Sequence, residues 1–141
     1  MNVQTTMLMA FDPKTFILAG NATFTATSEK TGVRFTFKVV NKNNYFHISV
    51  LTGSDNTSNY TYIGTIFPDG VYRHGRKSRI TPDAPSAKAA AWICKRVVAS
   101  ETMPNCTIQH AGRCGRCGRL LTVPESIESG FGPECISKLS L

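Results

Sequence analysis

Val33-Arg34-Phe35-Thr36-Phe37-Lys38-Val39-Val40 alternates apolar and polar side chains almost without a break. A strand turns successive side chains to opposite faces. This spacing therefore puts Val33, Phe35, Phe37 and Val39 on one side, with Arg34, Thr36 and Lys38 on the other. The same period recurs outward in both directions. Ala22 to Thr27 alternates small or apolar residues with threonine, and Ser28-Glu29-Lys30-Thr31-Gly32 is the turn between the two runs. After the Asn41-Lys42-Asn43-Asn44 turn cluster, Tyr45 to Leu51 is a third strand, with Phe46, Ile48 and Val50 on one face and His47 and Ser49 on the other. Thr52 to Asn59 is a polar, solvated loop. Tyr60 to Phe67 is a fourth strand, Pro68-Asp69-Gly70 its turn, and Val71 to Gly75 pairs back as a fifth. Connections this short predict an antiparallel meander with one apolar face.

Helices flank the meander in the sequence. Asp12-Pro13 has the form of a helix start, a side-chain acceptor followed by a proline at the first helical position, with Thr15 to Ala19 as its body and Gly20 as a left-handed stop. Phe16, Ile17 and Leu18 are expected beneath the sheet. An alanine-rich helix is expected over Ala84–Ala99, capped by Asp83 or Ser86, with Ala89, Trp92, Ile93, Arg96 and Val97 at helical spacing. Trp92 reads as a core aromatic and Cys94 as a small buried hydrophobe. Pro104 marks a boundary. The expected fold class is α+β. An antiparallel sheet of about five strands packed by one or two helices occupies residues 1–104, and a small treble-clef or knuckle-like zinc module follows at 105–141.

The second half of that division rests on His110-Ala-Gly-Arg-Cys114-Gly-Arg-Cys117-Gly-Arg119 and Gly130-Phe-Gly-Pro-Glu-Cys135, with 17 residues between Cys117 and Cys135. Two thiolates at C-x2-C within a glycine turn can grip one ion, because the glycines let backbone N–H groups turn toward sulfur. Cys135 follows Gly132-Pro133, which starts a helix over about Pro133 to Leu139, so the third sulfur comes from a first helical turn. His110 is the preferred fourth ligand. Cys106 is the alternative, with water or no fourth ligand as the remaining choice. A closed site of this kind is structural, and a segment of this size gains from zinc on the order of 10–16 kcal/mol that it cannot gain from a core. A zinc deaminase would need a glutamate two residues after its histidine. Here His110 is followed by Ala111, Gly112 and Arg113.

Sixteen Lys and Arg against nine Asp and Glu give a net charge of +7. Residues 1–104 hold 12 basic and 6 acidic side chains, whereas 105–141 hold 4 and 3, so the excess lies in the sheet region. A basic chain of this size implies an acidic partner, nucleic acid foremost. The candidate contacts are Arg73, Arg76, Lys77 and Arg79 after the fifth strand, and Arg113, Arg116 and Arg119 among the module's glycines. Those last three also suit charge compensation, since a divalent ion with three thiolates is net negative. Tyr60, Tyr62 and Tyr72 could stack bases, but Tyr60 and Tyr62 share strand parity with Ile66 and so with a possible core face. Met1 to Gly20 contains no uninterrupted apolar run of signal-peptide or membrane-span length. Five cysteines, three of them in a metal pattern, fit a reducing cytosol better than a disulfide framework, so a cytoplasmic protein without membrane partners is expected. The sequons at Asn21, Asn56, Asn59 and Asn105 are then coincidental.

The segment Cys114-Gly-Arg-Cys117-Gly-Arg-Leu-Leu-Thr122, with Pro124-Glu-Ser-Ile127 and Gly130-Phe-Gly-Pro-Glu-Cys135, resembles a small zinc-finger-like domain of unknown function frequent in bacteriophage, actinobacterial and proteobacterial proteins. Leu18-Ala-Gly-Asn-Ala-Thr-Phe-Thr25, with Thr31-Gly-Val-Arg-Phe-Thr36 after it, resembles the front half of uncharacterised phage proteins. The resemblance implies His110, Cys114, Cys117 and Cys135 as metal ligands and supplies no activity. Two classes of function follow. One is a non-enzymatic phage accessory protein, zinc-stabilised, that binds nucleic acid. The other is an interaction factor that inhibits or redirects a host protein. An enzyme is disfavoured, because the sequence holds no paired carboxylates, Ser/His/Asp set or Walker-type phosphate loop, and no small-molecule substrate is indicated.

Overall fold

The structure is a computed structural model and describes residues 11–53 and 59–139. Its centre is a six-stranded antiparallel sheet in the order β5-β4-β3-β2-β1-β6. The strands are β1 (Asn21–Ser28), β2 (Arg34–Lys42), β3 (Tyr45–Leu51), β4 (Tyr60–Ile66), β5 (Tyr72–His74) and β6 (Cys106–His110). The first five form the expected meander. The polar loop expected after β3 lies mostly outside the described residues, as does Asn56.

Alternation in the sequence becomes a two-faced sheet. In the β1–β2 register Ala22 faces Val39, Phe24 faces Phe37 and Ala26 faces Phe35. In the β2–β3 register Phe37 faces Val50 and Val39 faces Ile48. Phe24, Phe37, Val39, Ile48 and Val50 are all buried. Each such side chain contributes about 1.5–3 kcal/mol on burial. Val33, though of the same parity, lies beyond the start of β2 and is exposed. The β2–β3 hairpin closes through Asn43 and Asn44 at φ 55° and 69°. Two left-handed residues match the twist of a tight hairpin, and asparagine tolerates that conformation.

Three features depart from expectation. Helix α1 (Pro13–Ile17) takes its cap from Asp12, whose carboxylate accepts from Thr15 N at 3.1 Å, but it ends at Leu18. Gly20, at φ 128°, is therefore not a left-handed helix stop. Helix α2 (Pro85–Val98) is preceded by Ala84 with no side-chain cap. Neither Asp83 nor Ser86 serves: Ser86 lies inside the helix, and the Asp83 carboxyl is held below its ordinary range by a hydrogen bond from Thr81. The buried stripe of α2 is Ala87, Ala90, Ile93, Cys94 and Val97, which confirms Cys94 as core. Burial pushes the Cys94 thiol up to about 12, so it stays a neutral hydrophobe. Trp92 is not core. It is half-buried at the rim, with the Arg96 guanidinium 4.8 Å above its ring.

The sixth strand is the larger addition. β6 pairs antiparallel with β1, Phe24 opposite His110 and Ser28 opposite Cys106. The strand that leads into the cysteine turn is thus an edge of the sheet. Two short helices, α3 (Pro124–Ser129) and α4 (Pro133–Ile136), complete the C-terminal part. No helix of the described residues is long and apolar enough to cross a membrane.

Candidate metal centre

Immediately after β6 the chain folds back on itself. Arg113 bridges to Leu120, Cys114 N donates to Arg119 O at 2.8 Å, and Gly118 N donates to Cys114 O at 2.8 Å. The turn needs a left-handed residue at its far end, and Gly118 supplies it at φ 79°. This knuckle presents Cys114 and Cys117. Cys135 comes from α4, in the helix that starts at Pro133 after the Gly132 cap. The three sulfurs all lie within 4.8 Å of one another. Cys114 and Cys135 are buried, whereas Cys117 is exposed. Three cysteines therefore stand within metal-binding distance. Three sulfurs gathered this closely make a soft donor set that suits a thiophilic divalent ion such as zinc.

The polar surroundings favour thiolate at the innermost position. Burial opposes charge on Cys114, but N–H groups of Gly132, Cys117 and Arg116 outweigh it and bring the thiol from 9.0 to about 7. One of them, Arg116 N, stands 3.4 Å from the sulfur. Cys135 is displaced the other way. Burial raises it, with the neighbouring Cys117 and Cys114 adding to the rise and a hydrogen bond from Arg116 opposing it. The Arg116 guanidinium donates to Cys135 Sγ at 3.6 Å, close enough to offset thiolate charge were the sulfurs to bind an ion.

His110 does not join the cluster. Its place in β6, opposite Phe24, turns the ring toward the apolar side of the sheet, 5.7 Å from Phe11 and 5.8 Å from Phe16. There Nδ1 accepts from Gly112 N at 3.0 Å, leaving Nε2 to donate to Ile127 O at 2.5 Å. Both ring nitrogens are engaged. The histidine ties α3 to the sheet edge instead of facing the sulfurs. Cys106 is not in the cluster either; it sits at the other end of β6, opposite Ser28.

What holds the knuckle to the sheet was not legible as a motif. Gly115 donates to Gly130 O at 2.9 Å and accepts from Asn21 N at 2.8 Å, joining the cysteine turn both to the α3–α4 connection and to the start of β1. Phe16 packs directly behind: a Cβ on Gly115 would meet its ring at 2.6 Å, and the Phe131 ring lies tilted against it, centroids 5.8 Å apart. Phe16 and Phe131 are both fully buried. Ser129, also buried, accepts from Phe131 N at 3.2 Å and shapes that connection. The apolar spacing of Phe16 marked it as core, but nothing marked it as the seat of the cysteine turn.

The seven expected nucleic-acid contacts fall into two separate groups. Arg73 lies on β5 in an ion pair with Asp69 at 3.0 Å, and Arg76, Lys77 and Arg79 follow it, exposed. Arg113, Arg116 and Arg119 are exposed on the knuckle beyond β6. β5 and β6 are opposite edges of the sheet, about 24 Å apart at ordinary strand spacing, so the two groups do not form one patch.

No curated protein and no solved structure matches the chain. Residues 107–140 match a family of unknown function, DUF6011, whose span covers β6 from its second residue, the knuckle and all three clustered cysteines.

Proposed function

We propose that this chain is a non-enzymatic nucleic-acid-binding protein whose C-terminal part is stapled by zinc. The observation that carries the reading is the state of its cations. The net charge is +7, and among the described residues the single ion pair is Arg73–Asp69. Among the described residues, every Lys and Arg other than Arg73 thus lacks an ion-paired acid and can meet a polyanion. Cys114, Cys117 and Cys135 would hold the zinc, and a bound zinc would supply structural cross-linking. The arginine beside the sulfurs and the tight packing of Phe16 behind them suit a staple. The resemblance of the front half to phage proteins supports a phage accessory role.

The test is binding to arbitrary DNA and RNA across a salt series. Affinity that falls steeply between about 50 and 200 mM salt supports the proposal, and no binding at the low end rejects it. A second reading, a host-protein interaction factor, draws on one surface. A groove of ≈ 480 Å³ between α2 and the β1–β2 end is lined by Val33, Phe35, Trp92 and Pro104, with Val33 52% exposed. Such a groove suits an apolar side chain of another protein. Loss of a host partner on Trp92→Ala, with nucleic-acid binding absent, would favour it.

A further inference from the structure

The face of the sheet turned away from the buried core carries a composition that the meander does not require. Across all six strands there is no Asp or Glu, while Arg34, Lys38, Lys42 and Arg73 are present, all of them on this outer face. Of the outer-face residues on β1–β3, none is buried, so no layer of the described residues covers them.

The same face is aromatic. β4 contains a bulge: Ile48 pairs with Gly64 but Ser49 pairs with Tyr62, so Ile63 is the extra residue. The bulge reverses strand parity. Ile63 and Ile66 point into the core, whereas Tyr60 and Tyr62 stay with Ser49 and Leu51 on the outer face. The apparent conflict between these tyrosines and Ile66 is thereby removed. On β3, Tyr45 and His47 lie with ring planes 10° apart and centroids 6.5 Å apart, and Tyr62 meets His47 edge-on at 6.2 Å. Thr65, buried beneath them, bonds both His47 Nδ1 at 3.0 Å and Tyr62 OH at 2.6 Å, which fixes the two rings in place. Lys38 Nζ stands 4.7 Å over the Tyr60 ring. Among the described residues, the acid nearest this face is Asp69, and it pairs with Arg73.

Resting on the nucleic-acid reading above, we infer that this outer face, with Tyr45, His47, Tyr60 and Tyr62 as stacking platforms and Arg34, Lys38 and Lys42 as phosphate contacts, is the binding surface and that its ligand is single-stranded nucleic acid. A duplex keeps its base faces stacked inside the helix and cannot offer them to a sheet. A single strand can lay successive bases on exposed rings while its phosphates meet cations, and that combination needs no base sequence. A sheet face free of carboxylates excludes repulsion along the path of the strand.

The experiment measures affinity of the full chain for an oligo-dT, an oligo-rU and a DNA duplex of equal length. Wild type is compared with Tyr45→Ala, Tyr60→Ala, the matching Tyr→Phe variants, and Arg113→Ala/Arg119→Ala. Thermal melting reports whether each variant is folded. The expected result is tighter binding to the single strands than to the duplex. Each Tyr→Ala should lose about 5- to 100-fold while Tyr→Phe, which keeps the ring, retains binding. Equal or better binding to duplex, unaffected by folded Tyr→Ala variants and weakened by the knuckle arginine variants, overturns the surface while leaving nucleic-acid binding intact. No binding to any of the three ligands at low salt overturns both.

Discussion

The sheet and the C-terminal knuckle solve the same problem with different means. The sheet buries Phe24, Phe37, Val39, Ile48, Val50 and Ile63 in one core with α1 and α2 and gains its stability from apolar area. The knuckle, α3 and α4 contribute only Leu121 and Phe131 beside the cysteines to the buried apolar set. They lean on Phe16, which belongs to the other part, and on three sulfurs that can be cross-linked by one ion. A region with so few apolar groups cannot offset the entropy of ordering its backbone, whereas a metal that binds only the folded form can supply the difference. The comparison predicts that the two regions fail for different reasons.

The largest effect should come from the sulfurs. Cys114→Ser, or removal of the metal by a chelator, should cost the C-terminal region on the order of 10 kcal/mol of folding free energy while the sheet persists. Hydrogen exchange would then show fast amides after residue 112 and slow ones in β1–β4. Cys94→Ser is the control: it should leave the metal content unchanged and lower stability by about 1–3 kcal/mol, the cost of placing a hydroxyl in an apolar site. Phe16→Ala comes next at about 3–5 kcal/mol. It should loosen the knuckle and the sheet together, because its ring touches both; a sheet-only loss in thermal melting would contradict the shared seat. His110→Ala should cost about 0.5–1.5 kcal/mol for each of its hydrogen bonds, to the Ile127 carbonyl and from the Gly112 amide, since both sites are at least partly open to water.

The smallest effect is the pH dependence of the metal-free chain. Cys114 has a depressed folded-state pKa, from 9.0 to about 7. Its contribution is therefore fully present above pH 9 and is lost as the pH falls through 7. A melting temperature that stayed flat across that window, with Cys114→Ser flat as well, would remove the thiolate from the account.

Much of the fold was legible because strand periodicity is local. Phe35, Phe37, Val39, Ile48 and Val50 declare their face within a few residues. β6 was harder to place in the sheet, since five residues pairing with β1 some 80 positions earlier leave no local sign of that partner. The bulge at Ile63 was invisible for a related reason. It depends on how β4 registers against β3, and a strict count of two from Tyr60 sends Ile66 to the wrong face. At the metal centre, the C-x2-C turn and the helix-borne Cys135 follow from glycine and proline placement. The position of His110 does not, because it is set by the register of β6 against β1, which turns the ring toward Phe11 and Phe16.

That displaced histidine gives the most direct test of the central claim, a metal staple built on three cysteines. Elemental analysis of purified protein should find about one zinc per chain in wild type and in His110→Ala, and almost none in Cys114→Ser or Cys135→Ser. Zinc lost from a folded His110→Ala protein, or retained in the cysteine variants, would contradict it.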